Sequence, residues 1–297
     1  MLANRSVAIS RLSKLPPFHP TALRLLTVST ESDRAIRDFE LAFQSDAALA
    51  STLLMVANSP IYGFRNRVDS IRHAISLIGL EGVRSLSFTI GIGSYVRGPE
   101  TTAAVQSVWN HSLATAVIAE SISAASGLNV PFLYTAGLLH DVGRLGLLSL
   151  DGPRYAAVMA RRYFDMEESL LLEDLLFGCA HDDAGAFLGR SWGFPQNLCD
   201  CIGHHHRLGE TDQDQQLKLM VQLACTTAST LGMGEVHCEN QKPVDLDGSL
   251  TARIEASPFM QPERLLARIN KVVDGLMTSD VHPDATIARL SSERKIS

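Results

Sequence analysis

Apolar residues recur at helical spacing along almost the whole of this 297-residue chain, and no stretch alternates long enough to form a sheet face. In DAALASTLLMVA (46–57), Leu49, Leu53, Val56 and Ala57 fall on one stripe, behind an Asp46 suited to a helix start. Ile71, Ala74, Ile75 and Ile78 share a face of 70–79, with Gly79 near the stop, and a further helix runs from Glu81 to Ser94. After a break around Arg97-Gly98-Pro99, a long helix is expected from Ala103 to Ser126, closed by Gly127 and a turn through Asn129, Val130 and Pro131. Pro131 suits the first turn of the next helix. Helices follow near 152–163, 167–176 and 181–191. Pro195 opens one that ends in His204-His205-His206, and another spans 213–231. Residues 234–260 read as an irregular connector, and 262–277 as a last helix before a polar tail from Thr278. The pattern predicts an all-α fold.

Composition agrees, with 45% apolar residues but only 6% aromatic ones. A net charge of −6, with no basic run beyond Arg161-Arg162, argues against a nucleic-acid partner. The five cysteines (179, 199, 201, 225, 238) form no CxxC, which suits reduced thiols and a cytoplasmic location. No signal peptide is evident. Glu81 and Arg84 interrupt the longest apolar region, so no membrane span is expected.

The chemistry centres on AGLLHDVGRLG (136–146), where His140 and Asp141 stand side by side at the end of an apolar run. Burying an imidazole and a carboxylate together is costly, and a cation lying against both explains it most simply. His111, in VWNHS (108–112), lies on the preceding long helix. His181 opens a later one, and His204, His205 and His206 come last. A divalent ion takes nitrogen and oxygen donors from several helices of a bundle, which these intervals allow. Each residue also has a plainer reading: His111 as a packed core histidine, His181 as a solvated residue at a helix start, and the triple run as an exposed helix end. Their joint occurrence on successive apolar helices favours the metal.

The order His, His-Asp, His, His-His resembles the HD superfamily of metal-dependent phosphohydrolases. More closely, the chain resembles the HDOD family, the HD-related output domains of bacterial signalling proteins. KLPP (14–17), SDAALASTLL (45–54), VANSPIYG (56–63) and SIRHAISLIG (70–79) are similar to that family's N-terminal half. FGCAHDDAGAFL (177–188), SWGFP (191–195) and CIGHHH (201–206) are similar to its C-terminal half. The resemblance covers roughly 12–232. It implies an N-terminal helical half at 12–102, an HD-like half at 103–232, and a connector, helix and tail at 233–297.

Carried over residue by residue, the resemblance implies His111, His140, Asp141, His181, His205 and His206 as ligands of a divalent metal (Fe, Mn, Zn or Mg), with His204 able to replace one of the last pair. Arg144 stands where active relatives place a lysine, and is either a phosphate-binding guanidinium or a surface arginine at the edge of the core. Two departures stand out. Cys225, in VQLACTTA (221–228), occupies the place of a late aspartate ligand, and RLGETDQ (207–213) replaces the Gly-Tyr-Pro loop of cyclic-di-GMP phosphodiesterases. The resemblance therefore implies a cytoplasmic regulatory module acting through a signalling protein partner, without hydrolytic turnover, and leaves a homodimer open. The alternative is a metal-dependent phosphohydrolase or phosphodiesterase, in which Asp141 and Arg144 would do the catalytic work.

Overall fold

Most of the expected helices form close to their predicted bounds in the computed structural model, which describes residues 2–96, 102–128, 130, 132–207, 215–240, 244 and 246–278. In chain order they are α1 (Leu2–Leu12), α2 (Pro20–Thr27), α3 (Ala35–Gln44), α4 (Ala47–Ala57), α5 (Ile71–Val96), α6 (Ala103–Ser126), α7 (Leu133–Leu139) and α8 (Val142–Leu150). There follow α9 (Gly152–Met159), α10 (Met166–Phe177), α11 (His181–Trp192), α12 (Gln196–His204), α13 (Gln215–Ala228), α14 (Gly248–Glu255) and α15 (Pro262–Thr278). The predicted break at 97–99, Asn129, Pro131, residues 208–213 and the tail beyond 278 lie outside the described residues.

The chain forms two units, Met1–Phe18 with Ile92–Ile269, and His19–Gly91 with Asn270–Ser297. In the second, Asp46 caps α4 by accepting from the Leu49 amide at 2.9 Å, and the Thr21 hydroxyl donates to it at 2.7 Å. Gly79, at φ 75°, breaks α5 where the sequence predicts a stop. Ile71–Gly93 is long and apolar enough to cross a membrane, against expectation. Half of that stretch is nevertheless buried, and its Arg84 donates to the Leu25 carbonyl at 2.9 Å, as in a core helix.

In the first unit, α6 is buried on nearly every face, as a helix apolar all round should be. α7 and α13 pack against it. Glycines with φ of 66°, 82° and 82° end α6, α10 and α11 at Gly127, Gly178 and Gly193. Two features depart from the sequence reading. The 234–260 connector contains α14 and a 3₁₀ turn at Pro258–Met260, because Asp247 accepts from the amides of Ser249 and Leu250 and starts a helix there. A two-residue parallel pair also exists, β1 (Arg162–Tyr163) with β2 (His237–Cys238), too short for any alternating pattern to reveal.

The packing of α8 on α11 sets the rest. A Cβ on Gly143 would lie 1.9 Å from the His181 carbonyl oxygen and 2.5 Å from the Gly185 nitrogen. The backbones of the two helices therefore touch where α8 begins beside Asp141 and α11 begins at His181. Gly143→Ala should destabilise the protein by about 1–3 kcal/mol or more, since rigid backbone must move. Gly152→Ala, which meets nothing within 4 Å, should stay within about 0.5 kcal/mol of wild type. Urea midpoints of the two variants check this.

Candidate metal centre

The dyad sits in a one-turn gap between helices. His140 follows the last residue of α7, and Asp141 occupies the N-cap position of α8 without capping it. Released from a continuous helix, the adjacent side chains both turn inward, and neither is exposed. His111 enters from the middle of α6, His181 from the first position of α11, and His205 from just past α12. All three are fully buried. His206 is partly buried, its ring centroid 4.0 Å from that of His205 and 5.2 Å from that of His181. His204 faces solvent and bonds the Asp200 carbonyl, so the triple run contributes its second and third members.

Each buried ring is anchored by its Nδ1. That atom meets the Met233 carbonyl in His111 (2.9 Å), Gly137 in His140 (2.8 Å) and Ile202 in His205 (2.8 Å). In His181 it meets the Glu173 carboxylate at 2.7 Å. With Nδ1–H donating outward, the Nε2 lone pairs of His111, His140 and His205 are left facing the centre, the arrangement a metal-binding histidine needs, while His181 turns its Nε2 to Asp141. Nε2 of His140 lies 3.3 Å from that of His111. Asp141 Oδ1 is 3.1 Å from His181 Nε2 and 3.6 Å from His205 Nε2, and Oδ2 is 3.4 Å from His140 Nε2. Both Asp141 oxygens and Nε2 of His181, His205 and His206 are buried yet make no well-formed hydrogen bond. Donor atoms of Asp141, His181, His205 and His206 all lie within 4.8 Å of one another, as do those of His111, His140 and Cys225.

Arg144 is neither a surface arginine nor open to a ligand, because carboxylates and a phenol surround it in the core. It is fully buried, with Nε 3.1 Å from Asp141, and Nη1 donating to Glu173 (2.9 Å) and to the Tyr155 hydroxyl (3.0 Å). Glu173, on α10, also accepts from the His181 amide and from the Tyr155 hydroxyl, both at 2.8 Å. Sequence reasoning missed both Glu173 and Glu235. Glu173 looks like any helical acid in MEESLLLEDLLF, and Glu235 sits in the segment read as connector.

Electrostatics follow from burial. Desolvation drives His111 down to about 4 and His140 and His206 well below the usual range. Burial opposes charge on Asp141, but Arg144, His140 and His181 hold it well below the ordinary carboxylate range. Burial likewise opposes charge on Glu173, which His181 and Arg144 still bring to about 2. Burial, then Asp141, lift Glu235 to about 8. Burial and Arg144 lower His181, yet Glu173 and Asp141 outweigh them and raise it to about 9. The Cys225 thiol, its Sγ 3.5 Å from His111 Nε2, is pushed well up by burial, then by Glu235 and Asp141.

A family model of the HDOD domain matches residues 15–208. An HDOD domain protein of unknown function from Geobacter sulfurreducens shares 26% identity, with a TM-score of 0.65 over 98% of this chain and 95% of that one. A Marinobacter aquaeolei VT8 protein named for signal transduction has a TM-score of 0.69 at 20% identity, covering 92% of this chain and 64% of that one, a likeness of fold. An uncharacterised protein of Treponema pallidum (strain Nichols) is 23% identical over 209 residues, which are 69% of this chain and 40% of the relative. The match therefore spans less than half the length of that relative.

The charged His181 gives a pH test. Its stabilising contribution in metal-free protein is full below 6.5, its ordinary value, and is lost as pH rises through about 9. A metal must displace that proton, so affinity should climb about tenfold per pH unit across the same window. Denaturation of chelator-treated protein and chelator-competition titrations check the two halves. A flat affinity profile would mean that His181 releases no proton on binding.

Proposed function

The chain belongs to the HDOD family, and on that footing we propose that it is a cytoplasmic signalling module whose buried histidine–aspartate centre holds a divalent metal and which acts through contacts with a protein partner. One observation carries the metal: two carboxylate oxygens of Asp141 and three imidazole nitrogens are buried and lack a well-formed hydrogen bond, and donor atoms of these four residues lie within 4.8 Å of one another. Leaving such groups without partners costs about 1–3 kcal/mol each, and a cation would satisfy several at once. His111, His140, Asp141, His181, His205 and His206 would hold it. Imidazole-rich donors favour a transition ion such as Fe or Zn over Mg. When bound, the ion supplies positive charge and Lewis acidity.

Regulation rather than turnover is supported by where Arg144 spends its donors. Its Nη1 is taken by Glu173 and Tyr155 and its Nε faces Asp141, which leaves only Nη2, 3.9 Å from the Met166 sulfur, outside this carboxylate and phenol cage. A cavity of about 260 Å³ reaches His206, Cys225 and Glu235, which favours the second reading, a phosphodiesterase. Asp165 and Glu167 line that cavity too and would repel an anionic ester, with Arg207 the one opposing guanidinium in its wall among the described residues.

Elemental analysis of protein purified without a nickel column should find about one or two ions per chain. Asp141→Ala should lose them. Protein without bound metal would end the metal reading. Hydrolysis of phosphodiesters by Mn- or Fe-loaded protein, abolished in Asp141→Ala, would replace the regulatory reading with the enzymatic one.

A further inference from the structure

Resting on the metal reading and deepening it, we infer that Glu235 supplies the second carboxylate of the centre, delivered from the chain behind α13, whose Cys225 thiol lies 3.5 Å from His111 Nε2. Glu235 Oε2 lies 3.0 Å from His111 Nδ1, but that ring proton has the Met233 carbonyl at 2.9 Å as its acceptor, and Oε2 is buried without a hydrogen-bond partner. Glu235 Oε1 is 3.3 Å from Arg144 Nε, the same nitrogen that lies 3.1 Å from Asp141. A single guanidinium edge thus faces two carboxylates, and donor atoms of His111, Asp141 and Glu235 lie within 4.8 Å of one another. Further positive charge between these three would balance the arrangement.

The backbone sets this position from both sides. Immediately before Glu235 the chain makes a π-helical turn at Ser229–Met233, with Gly232 at φ 81°, so the strand after α13 swings back over the end of α6's histidine. Immediately after it, β2 pairs with β1, and the amides of Glu239 and Asn240 donate to the carbonyls of Tyr163 (2.9 Å) and Phe164 (2.7 Å). Glu235 is therefore aimed inward by a fixed turn and a fixed ladder. Cys225 remains a neutral thiol beside the ion.

The test uses the full chain as wild type, Glu235→Gln, Glu235→Asp and Cys225→Ser, each titrated with Mn(II) against a fluorescent chelator and melted with and without the ion. Glu235→Gln should weaken Mn(II) binding by about 10- to 100-fold. It should also lose most of the metal-induced rise in melting temperature, while the chelated variant melts no lower than chelated wild type because the amide has the shape of the carboxyl it replaces. Cys225→Ser should bind as wild type does, and Co(II)-loaded wild type should show no thiolate charge-transfer band. Should Glu235→Gln not fold, Glu235→Asp, which withdraws the carboxylate by one methylene, must weaken Mn(II) binding with the chelated protein's melting unchanged. Wild-type affinity in Glu235→Gln would overturn the assignment while leaving the centre intact, as would a Co(II)–thiolate band lost in Cys225→Ser. A wild-type protein that binds no Mn(II) would remove the centre and Glu235's role together.

Discussion

One buried carboxylate, that of Asp141, organises the first unit. Four imidazoles and a guanidinium converge on it from α6, α7, α8, α11 and the end of α12, all in the core. Removing one partner from a buried charge pair costs about 3–5 kcal/mol, and Asp141 makes such pairs with Arg144 of α8 and His181 of α11. The demand is geometric as well. α8 and α11 approach until backbone touches backbone at Gly143 and Gly185, which lets Asp141 and His181 meet at 3.1 Å.

Behind the ring of histidines stands a second layer that fixes their tautomers. Glu173 accepts from His181 twice, from Arg144 and from Tyr155, using both of its oxygens. Backbone carbonyls of Gly137, Ile202 and Met233 do the same for His140, His205 and His111. The nitrogens that face inward are thereby committed before anything binds. Such preorganisation lowers the entropic cost of capturing an ion.

The cavity that reaches His206, Cys225 and Glu235 joins this charged core to the β1–β2 pair and the start of α10. That region departs furthest from an uninterrupted bundle. A π-helical turn, a left-handed glycine and a two-residue ladder lie within about a dozen residues of one another. Irregular backbone concentrates where a side chain must be aimed, and here it aims Glu235.

By itself the sequence determined the all-α class, most helix bounds, and the identity of the histidines and aspartate that meet. Apolar period, capping residues and terminal glycines are local signals, and the HD ordering is a fixed list of residue types. Tertiary structure alone decided that His204 turns away, that Arg144 is consumed by its neighbours, and that Glu173 and Glu235 belong to the cluster. It also decided that α14 interrupts the expected connector. These facts depend on which side chains from distant elements arrive at one point in a low-dielectric interior. A single acid in a helix or a loop carries no mark of that until the chain has closed around it.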